Sequence, residues 1–341
     1  MLFREPVTMS LHIASWIRKT FITELRITLL KPFFRISGIV IVVTLTLLSG
    51  CKTPTESSFN DNNHGIDPPV VDNSIDIGLQ DTFEAVTWNL KNFPADEAET
   101  INYLSELIPK IGADIFAVQE IANTSDFQPL LNALPGYDGI VMHSNSYQNL
   151  GFIYKTEDIS VISYEEILPW EENIFMRIPL LININWHNRL ISLITVHLKA
   201  NDSGFDDDNK RRRSCELLDD YITGNLDQNM VIVLGDMNDE LTDPLNENVF
   251  QTFLSQPDEY LFADISIAEA VNTGNASYPS YPSHIDHILL TNELFQAFSN
   301  QDSLVRTLKV DDELDGGLYE YRTYISDHRP VAVRLVFTES N

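Results

Sequence analysis

The sequence predicts one α/β domain in which β-sheets pack together and helices cover them from outside. Three observations carry this expectation. Strand-like apolar runs outnumber helical ones between residues 83 and 337. Met230-Val231-Ile232-Val233-Leu234 is apolar at every position, as a central strand buried on both faces would be. The same stretch shows no internal repeat and no second shift of composition, so it reads as one domain of about 255 residues. At 341 residues, 43% hydrophobic and 10% aromatic, the chain is long enough for a large core.

Taken in order, residues 83–90 form a strand, and Pro94 opens a helix. That helix carries Ile101, Leu104, Leu107 and Ile108 at helical spacing and stops near Gly112. Residues 115–118 form a strand and 127–134 a short helix. Strands follow at 151–155, 159–167, 178–184 and 190–196. Residues 209–222 form a helix with Leu217, Leu218 and Tyr221 on one side. Strands at 230–234, 285–290 and 331–337 complete the set.

The N-terminal region differs. Its first 50 residues hold six basic and two acidic side chains, then a ten-residue run from Ile39 to Leu48. A bilayer span needs roughly 20 apolar residues, so the pattern reads as a secretory signal over residues 1–50. An uncleaved anchor helix is the alternative. Leu48-Ser49-Gly50-Cys51 resembles a bacterial lipobox, which makes Cys51 the lipidated N-terminus of the mature chain. Residues 51–80, rich in Pro, Ser, Asn, Asp and Gly, form a tether, leaving 81–341 as the globular domain. By resemblance to bacterial sorting rules, Lys52 after the Cys favours the outer membrane.

The full chain carries a net charge of −28, and without the leader about −32. Such acidity repels polyanions at long range and counts against tight, nonspecific nucleic-acid binding. It does not exclude a nuclease whose metal ions mediate the phosphate contact. With Cys51 assigned to lipid, Cys215 stands alone, so no intrachain disulfide is expected.

Polar residues gather at strand ends. Thr87-Trp88-Asn89, Gln119-Glu120, Thr195-Val196-His197 and Gly235-Asp236-Met237-Asn238 follow strands. His284-Ile285-Asp286 and Asp327-His328 precede them. Six strands of mixed direction bring all of these groups to one edge. Carboxylates suit a hard divalent ion, His and Asn donate to phosphate oxygens, and a carboxylate beside His fixes its tautomer. Together they are parts for activating water and stabilising charge at phosphorus.

In this order the six motifs resemble those of the endonuclease/exonuclease/phosphatase superfamily, over residues 83–337. That superfamily includes pancreatic-type deoxyribonuclease, abasic-site endonucleases, neutral sphingomyelinases and inositol-polyphosphate 5-phosphatases. The resemblance implies a deoxyribonuclease I-like four-layer sandwich, two packed mixed or antiparallel sheets flanked by helices. It implies Glu120 as main metal ligand with Asn89 and Asp327 nearby, and Asp286 orienting His328. His328 is then general base or phosphate stabiliser. Asp236 and Asn238 bind nucleophile and phosphate, with Asp236 a candidate proton shuttle, and His197 contacts a phosphate oxygen. Mg²⁺ is the expected ion, with Mn²⁺ or Ca²⁺ as alternatives.

Abasic-site endonucleases usually carry Asp where Lys91 stands and lack a counterpart of His197. Both departures lean toward the deoxyribonuclease and sphingomyelinase branches. Arg177 and Lys199 are candidate substrate contacts. The implied function is a metal-dependent phosphodiesterase, foremost a secreted, lipid-anchored, monomeric nuclease of the bacterial cell envelope. Alternatives are a phospholipid or sugar-phosphate phosphodiesterase, and an inactive binding lipoprotein. Lys210-Arg211-Arg212-Arg213 follows Asp206-Asp207-Asp208 and reads as local neutralisation. His287 points away from the Asp286 face by strand alternation and reads as structural.

Overall fold

In a computed structural model, the described residues are 74–143, 147–201 and 205–338, the side chain of Phe205 excepted. The expected leader, Cys51 and the tether up to residue 73 lie outside them. Within them the apolar runs become β1 (Thr82–Phe93), β2 (Ile115–Ile121), β3 (Tyr137–Val141), β4 (Asn149–Lys155), β5 (Ile159–Glu166) and β6 (Leu180–Trp186). They continue as β7 (Arg189–His197), β8 (Met230–Asp236), β9 (Tyr260–Phe262), β10 (Asp286–Thr291), β11 (Leu304–Thr307) and β12 (Val331–Val336). The helices are α1 (Glu97–Ile111), α2 (Phe127–Asn132), α3 (Phe205–Asn225), α4 (Gln251–Leu254), α5 (Ile265–Glu269), α6 (Phe295–Phe298) and α7 (Gly317–Tyr324).

Two six-stranded sheets form, ordered β11-β12-β1-β2-β4-β3 and β5-β6-β7-β8-β10-β9. Each is mixed. β1 and β2 run parallel in one, β7 and β8 in the other, and the remaining neighbours are antiparallel. Phe83, Phe152, Leu193, Ile232 and Ile288 meet between the sheets. Each buried side chain of this size stabilises the fold by about 1.5–3 kcal/mol. On the outer face of the first sheet pack Leu104, Leu107 and Ile108 of α1, Phe127 of α2 and Tyr321 of α7. On that of the second pack Cys215, Leu218 and Ile222 of α3 and Phe253 of α4. This is the expected four-layer arrangement. Cys215 is fully buried and burial pushes its thiol far up, so it is a packing residue.

The ends of α1 follow sequence logic. Glu97 and Glu99 sit in its first turn, and Gly112 ends it at φ 73°, a left-handed conformation that glycine adopts without strain. The chain enters the fold earlier than expected. Ile75 and Ile77 are buried, and the Ile77 N–H donates to the Ile111 carbonyl at 2.9 Å. Residues 74–80 therefore belong to the folded unit, not to the tether. Helix α3 likewise starts at Phe205, before the expected 209, with Asp206, Asp207 and Asp208 in its first turn.

Candidate active site

The mixed topology sends the C-terminal ends of β1, β2, β7 and β8 to the edge where β10 and β12 begin. Register does the rest. Asp236 on β8 pairs with His197 on one side and Asp286 on the other. Gly235 lets β7 and β8 approach, because a Cβ there would sit 1.9 Å from the Val196 carbonyl oxygen. The backbone is strained around the same edge, with positive φ at Lys91 (42°), Asn92 (52°), Glu120 (61°), Gln148 (75°) and Asn238 (54°). Strained non-glycine residues gather at functional sites because surrounding structure must hold them.

Asn89 ties the two sheets together. Its Nδ2 donates to Asp236 Oδ2 at 2.9 Å and to Glu120 Oε1 at 3.2 Å, while its Oδ1 accepts from the Lys91 N–H at 2.9 Å. The amide therefore presents nitrogen to the carboxylates. Asn89 thus bridges the two acids. Glu120 Oε2 accepts from the Asn92 N–H at 2.9 Å. Deeper, Gln119 links Thr87 and Thr195 across the sheets at 3.3 and 3.0 Å.

His197 is buried beside Asp236, its Nε2 3.5 Å from Oδ2. Arg177 Nη2 lies 2.9 Å from the same Nε2 and donates to Gln148 Oε1 at 2.9 Å. Burial, then the Arg177 guanidinium and His328, hold His197 well below the ordinary imidazole range. A neutral His197 with Nε2 accepting from Arg177 has no N–H on that nitrogen to offer phosphate. His197 and Gln148 thus both hold the Arg177 guanidinium at the cleft wall.

His328 Nδ1 donates to Asp286 Oδ2 at 2.8 Å, and its Nε2 lies 3.9 Å from Asp236 Oδ2. Burial opposes charge on this ring, but Asp286, then Asp236 and Asp327, push it up to about 10. Burial raises Asp236 from its ordinary value, with Asp286 and Glu120 adding to the effect against the pull of His328 and Asn89. Several supports escaped the sequence reading. Ser326 Oγ donates to the Asn89 carbonyl at 2.6 Å and accepts from the His328 N–H at 2.9 Å. Tyr321, bonded by Trp88 Nε1 at 2.9 Å, donates to the His328 carbonyl. Ser277 Oγ accepts from the Asp286 N–H at 3.2 Å. Trp88 and Ser326 stand inside the motifs, but their roles, like those of Tyr321 and Ser277, depend on contacts far apart in sequence.

Above these groups opens a cleft of about 930 Å³. Glu120, His197, Asp236, Asn238, Asp327, His328 and Arg177 line it, joined by Lys91, Tyr278, Tyr281 and the acids Asp239, Glu240 and Asp243. Asn89 and Asp286 lie buried beneath. Asn238 donates its Nδ2 to the Leu198 carbonyl at 3.2 Å, and its N–H to Asp236 Oδ1 at 3.0 Å. Lys199 does not join the cleft lining. It lies 3.5 Å from the buried Asp207 of α3 and 2.8 Å from the Ala200 carbonyl. Lys91 takes the place of a cation near Asp327, 3.8 Å away.

The residues fit a divalent metal ion. Ligand atoms of Glu120, His197 and Asp236 lie within 4.8 Å of one another. Two carboxylates sharing one amide donor in a buried corner call for a cation. Mg²⁺ is ordinarily held by one or two carboxylates plus waters. Of Glu120 and Asp236, both lining the cleft, Glu120 is the more exposed and so the better placed to hold an ion.

A model of the endonuclease/exonuclease/phosphatase family matches residues 86–328. Curated proteins gave no sequence match. Among solved structures, a humanized D. rerio TDP2 carrying 14 mutations aligns with TM-score 0.56 and 16% identity, over 74% of this chain and 98% of that one. Bacteroides thetaiotaomicron mannosyl-6-phosphatase Bt3783 aligns at 0.53 and 16%, over 75% and 100%. The human Nocturnin catalytic domain with bound sulfate aligns at 0.52 and 18%, over 76% and 96%. At these identities the likeness is one of fold.

Proposed function

We propose, from the premise that the chain belongs to the endonuclease/exonuclease/phosphatase family, that it hydrolyses phosphoesters in this cleft with a divalent ion, Mg²⁺ foremost. The observation that carries the reading is the convergence of Glu120, Asn89 and Asp236 beside the Asp286–His328 pair. The ion, held through Glu120, would neutralise charge on the phosphoryl oxygens and acidify water. Asp236, made more basic by burial, accepts the proton of the attacking water. His328, charged near neutral pH, donates toward the phosphate and steadies its growing charge. Arg177 binds a phosphate oxygen, with His197 and Gln148 fixing its guanidinium.

The first substrate reading is nucleic acid, by a nuclease tethered outside the cytoplasm through Cys51 at the outer membrane and acting as a monomer. D. rerio TDP2, of the same fold, has been seen with a single-strand DNA product. A second reading, a compact phosphoester such as a sugar phosphate, is favoured by the cleft's charge. Its cations Lys91 and Arg177 share the cleft with the acids Glu240 and Asp243, which suit hydroxyls better than a second phosphate. The test incubates residues 67–341 with supercoiled plasmid, sphingomyelin vesicles and sugar phosphates, each with Mg²⁺ or EDTA. Mg²⁺-dependent turnover lost in Glu120→Ala supports the hydrolase, and the productive substrate separates the readings. A folded protein inert toward all three, or Glu120→Ala at full activity, overturns it.

A further inference from the structure

Outside the cleft, the described residues hold a second buried knot of ionisable groups, Asp264, His284 and His287. His287 is one residue past Asp286 on β10, so it leaves the opposite face of the sheet. Its ring is fully buried, with Phe250 and Phe262 edge-on at centroid distances of 5.5 and 5.9 Å. Nδ1 lies 2.6 Å from Asp264 Oδ2, and Nε2 lies 2.9 Å from the Asp239 carbonyl oxygen. Both partners are acceptors. A neutral imidazole carries one N–H and would leave the other nitrogen facing a lone pair, so two donors require the imidazolium.

The surroundings agree. Asp264 Oδ1 accepts from the Ile288 N–H at 2.9 Å, and Oδ2 also accepts from His284 Nε2 at 3.0 Å. No Lys or Arg within 4 Å pairs with Asp264 among the described residues, and of its two histidines only His287 has an acceptor at both nitrogens, so His287 is the counter-ion. Burial works against charge on His287, yet Asp264 and the Asp239 carbonyl hold it above the ordinary range. A metal does not explain the knot. Two ligands of a tetrahedral zinc ion would stand roughly 3.3 Å apart, whereas Nδ1 and Oδ2 are separated by 2.6 Å.

The other end of His287 reaches the active site. The Asp239 carbonyl follows Asn238 in the turn that carries both Asp236 and Asn238. The Asp239 carboxylate is meanwhile gripped by buried Arg211 through Nε at 2.9 Å. Two buried cations thus pin this turn from beneath. We propose that His287 is a permanently protonated positioning residue that clamps the Asp239 carbonyl and so sets the Asp236–Asn238 turn for catalysis. Its kinetic consequence rests on the phosphoester reading, while its charge state does not.

The first arm of the test is activity-independent. Nitrogen NMR of the full chain in detergent, labelled with ¹⁵N-histidine and assigned with His287→Phe, should show both His287 ring nitrogens protonated at pH 7.5 and 8.5. A neutral tautomer at pH 7.5 overturns the proposal. The second arm compares His287→Phe, whose ring fits the aromatic box, with Asp264→Asn/His287→Phe, which also removes the stranded carboxylate. The double variant should melt closer to wild type, yet keep kcat about 10–100-fold low with KM within about threefold, as a displaced turn would. Wild-type kcat in a folded double variant would show a merely structural pair and overturn the clamp. A wild-type chain that turns over no phosphoester would refute the proposed function instead, leaving the NMR arm to decide the clamp.

Discussion

Asp286→Asn separates two roles for His328. Asp286 Oδ2 accepts from Nδ1 at 2.8 Å, and its Oδ1 has no partner, so asparagine fits with its carbonyl on Nδ1. What disappears is the charge. The ring stands at about 10 against an ordinary 6.5, with Asp236 and Asp327 also contributing. One nearby opposite charge ordinarily shifts such a group by about 1–3 pH units, or about 1.4–4 kcal/mol. The variant should therefore move His328 down to about 7–9. If the imidazolium is the working form, activity persists near pH 6.5 and is lost as pH rises through the lowered value. The assay is kcat/KM for bis(4-nitrophenyl) phosphate from pH 6 to 10. We expect the variant within about tenfold of wild type at pH 6.5, and a further loss of about 10–100-fold by pH 9.5. The same linkage makes the pair's contribution to stability fully present below about 6.5 and lost as pH rises through about 10. Thus the gap in melting temperature between wild type and variant should shrink toward pH 10. An unmoved alkaline limb, or a wild-type rate that climbs through pH 10, would refute the reasoning and make His328 the base.

Arg177→Met should lower kcat/KM about 10–100-fold, mostly through KM, because it removes a charged donor while its neighbours stay packed; steady-state kinetics check this. Gly235→Ala should cost upward of about 3 kcal/mol or prevent folding, since its Cβ would sit 1.9 Å from the Val196 carbonyl oxygen; urea melts read the loss. Glu84, raised by burial to about 8, binds a proton in the folded state that the unfolded chain has released. Glu84→Gln should therefore be neutral at pH 5 and gain about 1–3 kcal/mol at pH 8, measured by denaturation at both pH values.

The long strands were legible because each is either alternating or apolar throughout, and the six polar clusters were legible because they sit where those patterns stop. β3, β9 and β11 were not. With five, three and four residues they are too short to show a period. The Arg177–His197 contact was within reach. β6 and β7 form a hairpin about a two-residue turn at His187 and Asn188, whose φ values of 46° and 64° suit a type I′ turn. Pairing outward from that turn, Trp186 with Arg189 to Leu180 with Thr195, brings His197 opposite Ile178, the neighbour of Arg177. The orientation of the Asn89 amide was beyond reach, because the Lys91 N–H that fixes it depends on the left-handed turn after β1.

The charges of the site argue for its ion and against a long polyanion together. Asp286 is matched by His328 and Asp327 by Lys91, while Asp236 and Glu120 share one amide of Asn89. Burial raises Asp236 above its ordinary value, and repulsion from Asp286 and, more weakly, Glu120 adds to the rise. A divalent cation held by Glu120 would offset that repulsion and supply charge toward a phosphate oxygen. Beyond it, however, Asp239 is already spent on Arg211, and Glu240 and Asp243 face the cleft. A strand lying across the ion would carry its next phosphate either over Lys91 and Arg177 or into those acids. Under the proposed phosphoester reading, these acids favour a chain end or a compact substrate over a strand that lies across the cleft.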